Sequence, residues 1–311
     1  MFISRCAHLT FVMRWILTIV GITLIVSNAN GLNIVTTFSN LKDDVKLIAP
    51  NDTVLSITKP GVDPHSYQLT PNDVEVLRDA DVIISTAHTP FEMKIRELVN
   101  SGEIKAKLIE IPRIPGIEIL NNPATGLPNY HMPIYDPENY KIFLKYIAEE
   151  LSKLNPNGRY LERADDVCKE IDELVEKTKK LNCIAVADVP VVQYAVSWLN
   201  VSIKYLLLKE PDLPALPDDV RRVEEVIENG EVQVVVVTDS KASKILKDLA
   251  RKYGIPILYV PSPMTEGSTF GKLIKISNEV KGLRVERVES PSFCIGLAIV
   301  GFAVALGLRK L

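Results

Sequence analysis

Histidine carries most of the chemistry available to this chain. Its 311 residues include four histidines, and His8 lies in an apolar amino-terminal stretch, which leaves His65, His88 and His131 in the body. Each follows a β-branched run. His65 comes after TVLSI in the loop TKPGVDPHSYQL, His88 directly after DVIIST, and His131 beyond AKLIEIP in NYHMPIYDP. Imidazole is the commonest protein ligand for zinc, and three ring nitrogens with a carboxylate or water satisfy its tetrahedral preference. A single loop histidine more often has a surface or hydrogen-bonding role, so it is three of them converging that points to a metal. A ligating imidazole needs an acceptor for its second ring nitrogen, and Asp63, Glu92 and Asp136 are the nearest in sequence. There is no GxSxG elbow, P-loop, dinucleotide fingerprint or HExxH. The enzymatic alternative is a metal-dependent hydrolase whose open fourth position activates water, and a metal-stabilised surface protein is a third reading.

These loops need a scaffold. From Leu32 onward short β-branched runs alternate with amphipathic stretches, the pattern of an α/β fold with mainly parallel sheets. Strands are predicted at NIVTTF, TVLSI, DVIIST and AKLIEIP, with helices over Thr70 to Asp79, Pro90 to Val99 and from Pro137 through YKIFLKYIAEELSKL. The rhythm then changes. Leu161, Ala164, Val167, Ile171, Leu174, Thr178 and Leu181 keep a three-and-four spacing without a turn signal, which predicts one long helix. Afterwards CIAVAD, SIKYLLL, VQVVVVTD and IPILYV read as strands, alternating with four more helices. The expectation is a lobe over 31–155, a linking helix over 156–181 and a second lobe over 182–290, with a ligand cleft between them. In open parallel sheets ligands bind beyond the carboxyl ends of strands, and all three histidines meet that requirement.

Composition and chain ends set the compartment. With 47% apolar and 24% charged residues the chain can bury sizeable cores, and a net charge of −3 offers no footprint for nucleic acid. Arg5 and Arg14 flank WILTIVGITLIV, followed by SNANG, which reads as a secretion signal over 1–30 cleaved near Ala29. The uncharged run PSFCIGLAIVGFAVALGL, closed by Arg309 and Lys310, would span about 27 Å as a helix and reads as a transmembrane anchor over 291–311. Basic flanks at both ends place the body outside the cell, held by a single pass through the membrane. An external body permits a disulfide between Cys168 and Cys183, although a long helix separates them in sequence.

The segment PGVDPHSYQLTPNDVEVLRDADVII (Pro60 to Ile84) resembles the first metal-ligand motif of the zinc- and manganese-type substrate-binding proteins of ABC transporters, with His65 matching the ligand. NYHMPIYDPENYKIFLKYIAEEL (Asn129 to Leu151) resembles their second motif, with His131 as the match. The resemblance covers about residues 32–283. It implies two lobes tied by a long helix and a non-enzymatic, monomeric protein that captures zinc or manganese and delivers it to a membrane permease. Such proteins usually add a third histidine after the first strand of the second lobe and a carboxylate from a loop near its end. Here the first of these loops reads AVADVPVVQY and offers Asp188 and Gln193, while the second reads VPSPMTEGSTF, with Ser262 at the carboxylate position and Glu266 beyond it. The expected site is therefore His65, His88 and His131, with Glu266 or Asp188 closing from the second lobe; the alternative is a site that has lost a ligand. Asp188, before Pro190, reads first as a turn former, Glu266 equally as a charge favouring a helix start, and Asp239 as a helix cap.

Overall fold

A computed structural model describes residues 31–62, 65–210, 213–240 and 242–285. The expected secretion signal and carboxyl-terminal anchor lie outside these residues, and among the described ones no helix is long and apolar enough to cross a membrane.

Two four-stranded sheets organise the chain. The first contains β1 (Asn33–Thr36), β2 (Thr53–Ser56), β3 (Val82–Ser85) and β4 (Lys107–Glu110) in the order β2-β1-β3-β4. The second contains β5 (Cys183–Ala187), β6 (Val201–Leu206), β7 (Val234–Val237) and β8 (Ile257–Tyr259) in the order β6-β5-β7-β8. All six strand pairings are parallel. Parallel strands covered on both faces must be apolar throughout, and the central VIIS of β3 and VVVV of β7 are buried at every position. Edge strand β6 instead alternates buried and exposed residues along VSIK.

Between the strands run α1 (Ser39–Ile48), α2 (Pro71–Arg78), α3 (Pro90–Asn100), α4 (Pro137–Leu154), α5 (Tyr160–Lys177), α6 (Val192–Ser197), α7 (Pro217–Glu228), α8 (Ser243–Tyr253) and α9 (Thr269–Gly282). Proline opens α2, α3, α4 and α7, where its missing N–H costs nothing and its fixed φ suits the first turn. Helix α1 is absent from the sequence expectation because its inward face is partly polar, with Asn40 and Asp44 buried beside Leu41, Val45 and Ile48.

Helix α5 is shorter than the periodicity predicts. Arg159 adopts a left-handed φ of 54° just before it, and Thr178 turns extended after it, its hydroxyl donating to the Leu174 carbonyl at 2.6 Å and pairing with Ser277 Oγ at 2.8 Å. The rod is about 27 Å long. It packs along α4 and also touches α1 and α9. Cys168 and Cys183 are separate, buried free thiols, both pushed up to about 11 by burial, so the disulfide is not formed.

A second seam joins the halves behind the cleft. Asp44 of α1 accepts hydrogen bonds from Thr269 N (2.6 Å), Thr269 Oγ1 (2.9 Å) and Tyr140 Oη (2.7 Å), while Tyr135 Oη donates to the Pro261 carbonyl at 2.6 Å. Burial pushes the Asp44 carboxyl up to about 6 against the pull of these bonds. Helix α9 thereby returns from the second sheet to rest on the first half.

Candidate metal centre

The strand carboxyl ends of the first sheet bring the histidines together. His65 follows β2, His88 follows β3 and His131 follows β4, with ring centroids 5.8 Å (65 to 88), 5.3 Å (88 to 131) and 6.5 Å (65 to 131) apart. One ligand nitrogen from each lies within 4.8 Å of the other two. Backbone strain marks two of the loops: Ala87, before His88, and Met132, after His131, have φ of 61° and 52°. A non-glycine residue held in this left-handed region costs on the order of 1–2 kcal/mol, a feature that collects at functional sites.

Hydrogen bonds fix the tautomers. The Thr86 hydroxyl donates to Glu92 at 2.8 and 2.9 Å, so at 2.9 Å from His88 Nδ1 it can only accept, which places a ring proton of His88 on Nδ1. Glu92 is itself a buried hub. It accepts from the Thr37 and Ser85 hydroxyls, from backbone and hydroxyl groups of Thr86 and Thr89, and from His88 N. Burial opposes its charge, but His88 and the hydroxyls of Thr37, Thr86 and Thr89 outweigh it and hold the carboxyl below its usual range.

At the third ring, Asn129 Oδ1 accepts from His131 Nδ1 at 2.9 Å and from His131 N at 3.1 Å. The amide orientation is secured from the other side, where Asn129 Nδ2 donates to the Pro190 carbonyl (3.0 Å) and to Gln193 Oε1 (2.9 Å). His131 thus carries its proton on Nδ1 and presents a bare Nε2. Burial, then the neighbouring His88 and His65, push it down to about 4, so at neutral pH the lone pair is available for a metal.

The acceptors expected around these rings divide. Glu92 does serve His88, through Thr86 and directly at 3.9 Å. Asp63 lies outside the described residues. Asp136 does not face His131; it caps α4 by accepting from Glu138 N (2.9 Å) and Asn139 N (3.2 Å), and takes a bond from Ser197 Oγ at 2.6 Å. The partner of His131 is Asn129, two residues upstream and uncharged, which sequence reasoning passed over.

The second-lobe candidates have other duties. Asp188 is fully buried and outside the histidine group: its Oδ2 accepts from Thr238 N (2.9 Å), Thr238 Oγ1 (2.8 Å), Ser240 Oγ (2.8 Å) and Ser243 Oγ (2.6 Å), and its Oδ1 has no hydrogen-bond partner. It ties the end of β5 to the loop after β7. Gln193 clasps the first lobe, accepting from Asn129 and donating to the Asn121 carbonyl at 2.9 Å. Glu266 lines the cleft but is exposed and outside the histidine group, on a turn anchored to α1 by Gly267 N donating to Asp43 Oδ2 at 2.7 Å. Ser262 Oγ accepts from Met264 N at 3.3 Å. Asp239 is not the cap of α8; Ser240 Oγ takes the Ser243 N–H at 3.3 Å. One residue was not foreseen: Glu210, on the loop after β6, places Oε2 3.3 Å from His131 Nε2. Between the lobes lies a cleft of about 1080 Å³, lined by the three histidines on one side and by Val189, Asp239 and Glu266 on the other.

Known proteins share this arrangement of lobes. The iron-binding protein YfeA of Yersinia pestis is 26% identical over 269 residues, 80% of this chain and 84% of that protein. A metal ABC transporter substrate-binding lipoprotein of Lactococcus lactis is 26% identical over 242 residues, 73% of this chain and 77% of the relative. Among solved structures, the substrate-binding protein FpvC of Pseudomonas aeruginosa in complex with Mn2+ superposes with a TM-score of 0.66 at 17% identity, covering 81% of this chain and 98% of that one. The model of the family described as zinc-uptake complex component A, periplasmic, matches residues 34–277. Matched over most of its length, the chain belongs to that family of metal substrate-binding proteins of ABC transporters.

Proposed function

We propose that this protein captures one divalent transition-metal ion outside the cytoplasm through His65, His88 and His131 and delivers it to a membrane permease without performing catalysis. The observation that carries the reading is the convergence of three imidazole nitrogens within 4.8 Å, two of them with their other ring nitrogen already bonded. Three neutral imidazoles favour zinc over manganese, because manganese prefers more oxygen donors and sits lower in the affinity order of first-row divalent metals. Family membership supports transport rather than turnover. The apolar run from Pro291 to Leu308 supports a carboxyl-terminal tether, with the body on the outer face and acting as a monomer.

Calorimetric titration of the purified body with zinc and with manganese tests the proposal. One tightly bound zinc per chain, a melting temperature that rises with free zinc by mass action, and loss of binding in His131→Ala are expected. Metal-dependent cleavage of ester, phosphate or amide substrates that disappears in His131→Ala would instead establish the hydrolase.

A further inference from the structure

We infer that Glu210 supplies the second-lobe ligand, completing a site of three imidazoles and one carboxylate. The inference rests on the metal-capture reading above and concerns which residue closes that site. Its first support is geometric. Ligands bound tetrahedrally at about 2.0–2.1 Å from one zinc ion lie about 3.3–3.4 Å from each other. Glu210 Oε2 and His131 Nε2 are 3.3 Å apart, the spacing of neighbours on one ion. Nε2 is also the nitrogen left bare when Nδ1 bonds Asn129, so Glu210 meets the imidazole on its metal-binding side.

The backbone holds Glu210 at the site. Leu207 N and Leu208 N donate to the carbonyls of Ala187 (2.9 Å) and Asp188 (3.0 Å), which continues the β5–β6 pairing two residues beyond β6. Buried Asn122 of the first lobe then donates from Nδ2 to the Lys209 carbonyl at 2.9 Å. The loop is thus pinned from both lobes one residue before Glu210. The other second-lobe candidates are placed less well: Gln193 is spent on its clasp, Glu266 sits on an exposed turn anchored on α1, and Asp188, whose Oδ2 takes four donors while its buried Oδ1 has no hydrogen-bond partner, lies outside the histidine group. Glu210 is outside the group in which the histidine nitrogens all lie within 4.8 Å, so binding requires its side chain, 45% exposed, to swing inward from the His131 side. Glu210 would then be the group through which the second lobe senses the ion.

The test is a zinc competition titration on the full chain, comparing wild type with Glu210→Gln, Glu266→Gln and His131→Ala, and with melting of each metal-free protein as a folding control. Glu210→Gln should weaken zinc about 100-fold or more, since outer-sphere partners alone cost about 10–100-fold. It should leave the metal-free protein folded, with a cooperative melting transition, and Glu266→Gln should bind as wild type. Cobalt substituted for zinc gives a second readout, with the visible ligand-field bands of Glu210→Gln displaced from those of wild type. Wild-type zinc affinity in Glu210→Gln, with binding abolished in His131→Ala, would overturn the assignment of Glu210 alone. Retention of binding in His131→Ala would overturn the metal site itself.

Discussion

Asn129 does two things at once, and aspartate separates them. Its side chain is 1% exposed and makes four contacts: Oδ1 accepts from His131 Nδ1 and His131 N, and Nδ2 donates to Pro190 O and Gln193 Oε1. At about 1 kcal/mol net per neutral hydrogen bond, Asn129→Ala removes about 4 kcal/mol, reduced to about 3 where water re-solvates the edges. The same change frees the His131 ring and should weaken zinc about 10–100-fold, or 1.4–2.8 kcal/mol. Asn129→Asp keeps both acceptor contacts and strengthens them with charge, but turns an oxygen toward the Pro190 carbonyl and Gln193 Oε1. It should therefore cost about 2–3 kcal/mol of metal-free stability while zinc affinity holds or rises, because a carboxylate behind a ligating imidazole raises its basicity. Denaturant unfolding of the metal-free protein and zinc competition read the two quantities separately. Equal loss of zinc affinity in both variants would refute the claim that Oδ1 orients His131, and unchanged unfolding midpoints would show that the clasp to Pro190 and Gln193 carries no energy.

Two further outcomes follow from the same network. Thr86→Val replaces the hydroxyl between Glu92 and His88 with a methyl of similar shape; it should weaken zinc about 10-fold and lower stability by about 1.5–3 kcal/mol, measured by titration and urea unfolding. Because His131 is held down to about 4 in the folded state against an ordinary 6.5, the unfolded chain binds the extra proton between those values. Metal-free stability attributable to His131 is thus present above pH 6.5 and is lost as pH falls toward 4, by about 3 kcal/mol. Asp44, raised to about 6, acts in the opposite sense over much of this window, so the readout is the stability difference between wild type and His131→Ala, which should shrink by that amount on acidification.

Much of this architecture is legible in the sequence, for reasons that also explain the gaps. The eight strands are short, β-branched and bounded by turn residues, so local pattern suffices to find them. Helix α1 escapes because Asn40 and Asp44 break its apolar stripe, and their partners, Met132, Tyr140 and Thr269, are about 90 or more residues away. The linking helix is overread because Thr178 and Leu181 keep the helical period while the backbone has already turned extended. The histidines stand out as the only ones in the body, each placed after a strand. Glu210 passes the same test, yet the resemblance to known metal-binding proteins directed attention to the loops after β5 and β8. Asp188 is read as a turn former because its donors, Thr238 to Ser243, lie 50 or more residues away.

The two sheets have the same strand order, and each has a buried carboxylate beyond the carboxyl ends of its two central strands. In the first, Glu92 joins Thr37, after β1, to Thr86 and His88, after β3. In the second, Asp188, after β5, holds Thr238, after β7, and through it the start of α8. The same device places a histidine of the converging group only in the first lobe, because the loop that Glu92 braces contains His88, while the loop that Asp188 braces holds hydroxyls that donate to Asp188 itself. Ion binding as proposed would therefore be one-sided: the first lobe would supply the nitrogens, and the second would respond only through groups that reach across. Wide opening would have to break the seam of Asp44 with Thr269 and of Tyr135 with Pro261 behind the cleft, in addition to bending α5. The cheaper movement lies in front, where the exposed side chain of Glu210 can leave His131, and where the Asn129–Gln193 clasp can loosen the ring that faces it. On the capture reading proposed above, release to a permease would proceed through these loops, with the two sheets staying nearly fixed.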